Sequence, residues 1–215
     1  MKVKKNVSKA EDDPRSTKEK IFDVSVDLFS QKGFDAVSIR EIARNVGIRE
    51  SSIYNHYKSK ETILNAIFQY FRKELTKMRP PEALNIENLT PDIFRERVHR
   101  THILFRTPTM EKIFKILINE LFKNEKAKEI VLHDLIQEPH KFTEKVLASM
   151  NQRGIIQPID PKIMAVEFQY PILSLFLEYL ILKSNNLDTK NVETRLKNHV
   201  EFFLLVISPE ARNEN

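Results

Sequence analysis

The chain has 215 residues, a formal net charge of +5 and no cysteine. The absence of cysteine excludes disulfides, thiolate nucleophiles and cysteine-based redox or metal sensing. Positive charge at the N-terminus is not followed by an apolar segment, so we expect no secretory signal and a soluble, cytoplasmic protein.

Helical periodicity dominates the sequence. The three glycines, Gly33, Gly47 and Gly154, and most of the ten prolines stand where helices should stop, and period-two alternation is rare. We therefore predict an all-α fold. Residues 1–80 hold 17 Lys and Arg against 11 Asp and Glu, whereas the remainder carries −1. The excess of positive charge in the N-terminal part favours contact with phosphates.

The N-terminal part predicts a short series of helices. Residues 1–14 are charged and polar and predict a disordered basic arm, either an inert tail or a supplementary DNA contact. The first helix should run from about Ser16 to Lys32 and end at Gly33. After the motif described next, Ser59 should cap a helix that continues to about Met78.

Residues 38–60 read as two short helices around a glycine turn, followed by the start of a third helix. Ser38 can cap the first of them, with Glu41 three residues on to complete a capping box. Gly47 supplies a left-handed turn, and Ile53 returns an apolar side chain to the crossing. An apolar stripe accompanies these signals and consists of Ile39, Ile42, Ala43 and Val46. The pattern is typical of a helix-turn-helix, whose second helix lies in the DNA major groove.

These residues resemble the TetR family of one-component transcriptional regulators. The resemblance rests on the stretches 38–43 (SIREIA), 46–48 (VGI) and 52–61 (SIYNHYKSKE), and it covers roughly residues 15–70. It implies an N-terminal helix-turn-helix three-helix domain and a larger C-terminal helical domain for ligand binding and dimerisation. It also implies a dimer on a palindromic operator, most often a repressor released by a small-molecule effector.

Candidate DNA contacts divide into positioning and reading. The resemblance assigns phosphate contacts to Tyr54, His56 and Lys60, and Ser38 at the start of the second helix should act similarly. Arg40 can reach guanine in bidentate fashion. Arg49, Glu50, Ser51 and Ser52 occupy the exposed first turn of the recognition helix and should face the bases, and Asn55 follows on the same face. Tyr57 should instead pack in the core of the domain. Glu50 either accepts from a cytosine amine or pairs with Arg49, and the sequence leaves both open.

Prolines mark the organisation of the rest. We predict a DNA-binding domain over 15–79, a linker over 80–92 that begins with Pro80 and Pro81, a regulatory and dimerisation domain over 93–208 and a tail over 209–215. The larger domain should contain six helical segments, at about 91–106, 109–123, 125–137, 140–153, 160–184 and 189–207.

The last two segments are unusually apolar. Ile163–Leu182 is apolar nearly all round and should be buried on more than one side, since its charged residues and Pro171 argue against a membrane span. We favour a two-fold four-helix bundle between two subunits, and an ordinary intramolecular core is the alternative. The predicted interface consists of Leu173, Phe176, Leu177, Leu180, Leu196, Val200, Phe203, Leu204 and Ile207.

The resemblance implies a pocket for a largely apolar effector in the larger domain. Its candidate lining residues are aromatic or polar on otherwise apolar helices: His99, His102, Phe105, Phe114, Leu117, Glu120, Phe142, Phe168 and Tyr170. His99 and His102 lack further ligands for a metal, and no catalytic motif is present, so we expect no cofactor, no metal and no enzyme. The alternative function is a helix-turn-helix adaptor or architectural DNA-binding module without ligand response.

Overall fold

The computed structural model describes residues 15–78 and 86–209; the predicted basic arm, Pro80 and Pro81, and nearly all of the predicted tail lie outside them. The described elements are helical, and no strand occurs among these residues. The chain divides into two compact units, residues 1–66 and 67–215. We call their described parts the N-terminal unit and the C-terminal unit. The division falls inside the helix Lys60–Met78.

Short helices build the N-terminal unit. They are α1 (Thr17–Lys32), α2 (Ile39–Val46), α3 (Glu50–Tyr54) and the first turns of α4 (Lys60–Met78). The fully buried side chains of Ile21, Phe29, Ile42, Ile53 and Ile63 come from all four helices and make one small core. The predicted helix-turn-helix is therefore confirmed, with its apolar residues facing inward.

Capping differs from the prediction at one point. Ser38 caps α2 by accepting from the Glu41 amide at 3.1 Å. The Glu41 carboxylate, however, pairs with Lys32 at 2.6 Å instead of returning to the Ser38 amide, so the predicted capping box is only half formed. A complete box stands at the start of α1, where Ser16 and Glu19 bond each other's backbone amides. The ion pair with Lys32, nine residues away in the chain, thus replaces the local hydrogen bond from the Glu41 carboxylate to the Ser38 amide.

The C-terminal unit contains the rest of α4 and six further α-helices. They are α5 (Asp92–Phe105), α6 (Pro108–Glu120), α7 (Glu125–Glu129), α8 (Glu138–Gln152), α9 (Pro161–Ser184) and α10 (Lys190–Ile207), with a 3-10 turn at Ile86–Asn88. Helices α5, α8, α9 and α10 share one core. At its centre the ring of Phe94 packs edge-on against two other rings. The centroid distances are 5.0 Å to Phe168 and 5.2 Å to Phe203.

Pro139 does not separate two helices, which corrects the predicted break between residues 137 and 140. A π-helical segment, Ile130–Gln137, joins α7 directly to α8, and Pro139 lies in the first turn of α8. Proline has no amide hydrogen and crowds the carbonyl four residues earlier. A wider turn before it relieves that crowding, and π-helical turns often mark functional positions.

Helix α9 is buried along one side only, so the prediction that it is buried on more than one side does not hold within a single chain. Its outward side is a stripe at helical spacing, Ile163, Val166, Tyr170, Leu177 and Ile181, all exposed. On α10, Phe202 and Leu205 are also exposed. Among the described residues α9 alone is long and apolar enough to cross a membrane, a property that core helices of globular proteins share.

The predicted dimer seam needs correction. Most of its members are buried in the core of the same chain: Phe176, Leu180, Leu196, Val200, Phe203, Leu204 and Ile207. Leu173 is half-buried, and Leu177 is exposed. The periodicity marks the helix face that packs most tightly, and in this fold that face covers α5 and α8.

Candidate nucleic-acid interface and cavity

A groove on the N-terminal unit brings together side chains from α2 and the start of α3. Ser38, Arg40, Arg49 and Glu50, all predicted to contact DNA, line it together with Arg44. Each of these five residues is exposed. Three arginines and two glutamates line the groove, and one of the glutamates, Glu41, is paired with Lys32. The groove therefore presents an excess of positive charge to a phosphate backbone.

The exposed side of α3 carries the remaining candidates. Ser51, Tyr54, Asn55 and His56 are exposed and Ser52 is half-buried, whereas Ile53 is completely buried. Tyr57 is buried as predicted, and burial raises the pKa of its hydroxyl. The short helix thus has an inward anchor and an outward polar face, which suits a helix that inserts into a groove.

Lys60 has a structural role that the sequence did not reveal. Its Nζ donates to the carbonyl of Phe34 at 2.8 Å and to that of Val37 at 2.9 Å. The same ammonium lies 4.2 Å from the centroid of the Phe34 ring. Lys60 therefore fastens the connection between α1 and α2 to the start of α4. Its predicted phosphate contact stays a prediction.

The C-terminal unit contains a partly open cavity of about 550 Å³. Four of the predicted lining residues, Phe105, Phe114, Phe142 and Phe168, contribute to its wall. The charged and amide side chains on the wall were not predicted: Arg97, Asp134, Glu138, Lys141, Lys145 and Gln169. The π-helical segment and the start of α8 supply two of these, Asp134 and Glu138, so this wider turn shapes the wall.

The other predicted lining residues lie elsewhere. Leu117 and Glu120 are buried in α6, and His99 and Tyr170 are exposed. His102 is half-buried between α5 and α9, with its ring 5.2 Å from that of Tyr179. Burial is the largest influence on His102 and lowers its pKa. The prediction failed because aromatic or polar character does not reveal which side of a helix faces a cavity.

Polar groups of the cavity wall are held in place by their neighbours. The Asp134 carboxylate accepts from Nε of Arg72 at 2.7 Å. Gln169 Nε2 donates to Thr143 Oγ1 at 2.5 Å and to the Pro139 carbonyl at 3.3 Å. The two hydrogen bonds of Gln169 connect α9 to α8. The cavity is consequently a preformed space lined by phenylalanine rings, aliphatic side chains and several polar groups, some of them held in place by hydrogen bonds, and this combination is common in small-molecule sites.

Residues 21–67 match the N-terminal model of "Bacterial regulatory proteins, tetR family". The helix-turn-helix unit is therefore the DNA-binding unit of a TetR-family transcriptional regulator. The chain combines this unit with a larger C-terminal helical unit. The residues that carried the resemblance, from Ser38 to Glu61, lie within the matched range.

Curated relatives match this chain over stretches of different length. YerO of Bacillus subtilis is 44% identical over 54 residues, 25% of this chain and 19% of YerO. IcaR of Staphylococcus epidermidis, a negative transcriptional regulator of the biofilm operon icaADBC, is 40% identical over 58 residues, which cover 25% of this chain and 31% of IcaR. YhgD of Bacillus subtilis is 27% identical over 152 residues, 69% of this chain and 76% of YhgD.

Similarity of fold extends further along the chain than similarity of sequence. The structure of SmeT in complex with triclosan superposes with a TM-score of 0.62 at 20% identity, covering 88% of this chain and 90% of SmeT. The fold of this TetR-family neighbour thus extends over 88% of this chain, although sequence identity of 40% or more covers only a quarter of it.

Two residues that were not predicted from the sequence, Arg44 and Arg97, nevertheless occupy positions that the sequence pattern distinguishes. Arg44 follows Arg40 by four residues on α2, so the two share one helix face. On α5 the buried residues Phe94, Val98 and Phe105 define the inward side, and Arg97 lies beside it, one turn from Phe94. A charged residue next to the buried stripe of an amphipathic helix marks a polar group in an apolar setting.

Proposed function

We propose that this TetR-family regulator is a cytoplasmic, dimeric repressor that binds a palindromic operator and is released from it by a small-molecule effector. The observation that carries the proposal is the groove in which Arg40, Arg44 and Arg49 converge beside the exposed face of α3. In this proposal Arg40 reads guanine, and the outward residues of α3 read neighbouring bases. Tyr54 and His56 position the unit on phosphates.

Dimerisation is supported by the outward stripe of α9. Ile163, Val166, Tyr170, Leu177 and Ile181 are all exposed at spacings that place them on one helix face. Contiguous apolar faces of this kind mark association sites in soluble proteins. We propose that this stripe, rather than the buried residues predicted from the sequence, meets its equivalent on a second copy about a two-fold axis.

Effector release is supported by the cavity. Its volume of about 550 Å³ and its aromatic wall suit an organic molecule. SmeT, which shares the fold, was solved with triclosan bound. IcaR, which is 40% identical to this chain over 58 residues, is a negative transcriptional regulator. Binding of an effector would then be coupled to the loss of DNA affinity, typically by about 1–3 kcal/mol in allosteric proteins.

Selection of duplexes tests the DNA-binding part of the proposal. The purified full-length protein is incubated at near-physiological salt with fragmented DNA of its source genome, and the retained fragments are sequenced. We expect enrichment of a palindrome with half-sites about 10–10.5 base pairs apart or slightly more, because a dimer places its two recognition helices in successive major grooves.

A variant with Arg40, Arg44 and Arg49 all changed to Ala is the control, since these side chains are exposed and their loss should leave the fold intact. Enrichment that persists in this variant would contradict the proposed interface. No enrichment by the wild-type protein would contradict the specific regulator and favour the adaptor or architectural alternative.

A further inference from the structure

Arg97 is the unusual residue of the cavity wall. The side chain as a whole is half-buried, yet its Nη1 nitrogen is fully enclosed and has no hydrogen-bond partner. The central carbon of the guanidinium lies over an aromatic ring, 4.1 Å from the centroid of Phe142. A cation–π contact of this kind leaves the N–H groups of the guanidinium available for a hydrogen-bond partner.

The charge of Arg97 is uncompensated within the described residues. The two acidic residues of the cavity wall are engaged elsewhere, Asp134 with Arg72 at 2.7 Å and Glu138 with Lys141 at 3.3 Å. Burial lowers the pKa of Arg97 to about 10, so the group is still a cation at neutral pH. Lys145 adds a further positive charge at the wall. An enclosed cation without a counterion is unfavourable unless something else supplies the negative charge.

A large part of the wall is apolar. Phe105, Phe114, Phe168, Ile172 and Phe176 line the same cavity as Arg97. The volume of about 550 Å³ exceeds what a small inorganic anion fills. A fitting molecule therefore combines one anionic end with an extended apolar body.

We propose that the effector of this regulator is an organic acid whose carboxylate binds Arg97 while its apolar body lies among the phenylalanine rings. This inference rests on the effector release proposed above and specifies the chemical class that the cavity accepts. A guanidinium and a carboxylate form paired, charge-assisted hydrogen bonds. Arg97 would thus distinguish an acid from a neutral molecule of the same shape.

Calorimetric titration of the full-length protein with matched probes tests the proposal. The acids are decanoate and 2-naphthoate, and their uncharged counterparts are decanamide and 2-naphthamide. The proteins are the wild type, Arg97→Gln, Arg97→Lys and Arg100→Gln. Arg100 is the matched control because it lies on the same helix, is exposed and pairs with Glu96 at 2.6 Å outside the cavity.

We expect at least one acid to bind the wild type roughly tenfold or more tightly than its amide, because a charge-assisted hydrogen bond is lost in the amide. That preference should vanish in Arg97→Gln, be partly retained in Arg97→Lys and be unchanged in Arg100→Gln. Arg97→Gln without ligand should melt at or above the wild-type temperature, since an uncompensated enclosed charge is removed. A merely structural arginine would lower the melting temperature instead.

Three results would overturn the assignment: equal affinity of acid and amide for the wild type, no binding of either acid, or an unchanged preference in Arg97→Gln. Measuring release of the operator obtained by duplex selection distinguishes the proposed ligand class from effector release, on which it rests. An acid that binds through Arg97 but leaves the operator complex intact would refute effector release and keep the ligand class. Release by the amide as well as by the acid would keep effector release and refute the ligand class.

Discussion

The two units of this protein differ in how far apart along the chain their functional residues lie. In the N-terminal unit the candidate DNA contacts fall between Ser38 and Lys60, on two short helices and the start of a third. In the C-terminal unit the cavity wall draws on α4, α5, α6, the π-helical segment, α8 and α9. A function carried by neighbouring residues can be recognised in the sequence, whereas one assembled across a fold is recognisable only in the structure.

The same contrast explains the comparisons with other proteins. Identity of 40–44% covers only about a quarter of the chain, and the SmeT structure shares the fold at 20% identity over 88% of it. Packing needs only apolar side chains of suitable volume, so a core tolerates wide substitution. A cavity can therefore change its wall, and its ligand, without a change of fold.

The largest expected effect concerns the core that supports the cavity. Phe94→Ala removes ring contacts with Phe168 and Phe203 and should lower the free energy of unfolding by about 3–5 kcal/mol. Phe122→Ala is the matched control, because Phe122 is 92% exposed and its loss should cost less than about 0.5 kcal/mol. Guanidinium denaturation followed by circular dichroism measures both, and equal losses would contradict the assigned core.

The association surface provides the second test. Leu177→Asp places a charge on the outward stripe of α9 and should weaken dimerisation by about 2 kcal/mol or more. Leu187→Asp, at an exposed position after the end of α9, should leave it unchanged. Sedimentation equilibrium measures the dissociation constant. A dimer that survives Leu177→Asp but dissociates on substitution of the α10 residues would move the interface to α10.

The groove formed by α2 and the start of α3 provides the third test. Arg40→Ala should cost about 1–3 kcal/mol of operator affinity at particular base pairs, because a bidentate contact to guanine is lost. Fluorescence anisotropy with singly substituted operators would locate those pairs. Arg100→Ala, an exposed arginine of the C-terminal unit, is the control. An equal loss on every duplex, including random ones, would show that Arg40 only contacts phosphates.

The glycines that end α1 and α2 should differ in their tolerance of alanine. At neither position would an added Cβ meet an atom within 4 Å, so the cost is conformational. Gly33 has φ 83° and ψ 155°, a region accessible essentially to glycine alone, and Gly33→Ala should cost about 1–3 kcal/mol. Gly47 is left-handed helical, and Gly47→Ala should cost about 1 kcal/mol. Thermal denaturation of the two variants measures both losses of stability, and a larger loss for Gly47→Ala than for Gly33→Ala would contradict this prediction.

The smallest effect separates the two roles of Lys60. Lys60→Met should lower the slope of log affinity against log salt by about one, as expected for one lost phosphate contact. It should also lower the melting temperature, because the carbonyls of Phe34 and Val37 lose their donor. Lys73→Met, exposed on the same helix, should change neither. An unchanged slope with a lowered melting temperature would leave Lys60 with its structural role alone.

Prediction from sequence succeeded where a residue acts through its near neighbours. The Ser38 cap, the left-handed Gly47 and the buried Ile53 and Tyr57 were all recognisable, because each depends on spacing within a few residues. Lys60 shows the limit in the same unit. Its carbonyl partners lie 23 to 26 residues away in the chain, and only the packing of α4 against the α1–α2 connection brings them together.

In the C-terminal unit the errors share one cause. Helical spacing identifies a buried face but does not say whether the same chain, a partner or a ligand covers it, and so the predicted dimer seam proved to be core. Pro139 predicted a break because the compensating π-helical turn has no sequence signature of its own. Arg97 went unnoticed because its importance depends on Phe142, which approaches it from another helix.

The most direct test of the contrast between the two units measures operator affinity with and without decanoate for the wild type, Arg40→Ala and Arg97→Gln. We expect Arg40→Ala to weaken DNA binding while decanoate still releases what remains bound at an unchanged concentration. Arg97→Gln should bind the operator like the wild type and require roughly tenfold more decanoate for release. Loss of operator affinity in ligand-free Arg97→Gln equal to that of Arg40→Ala would contradict the account.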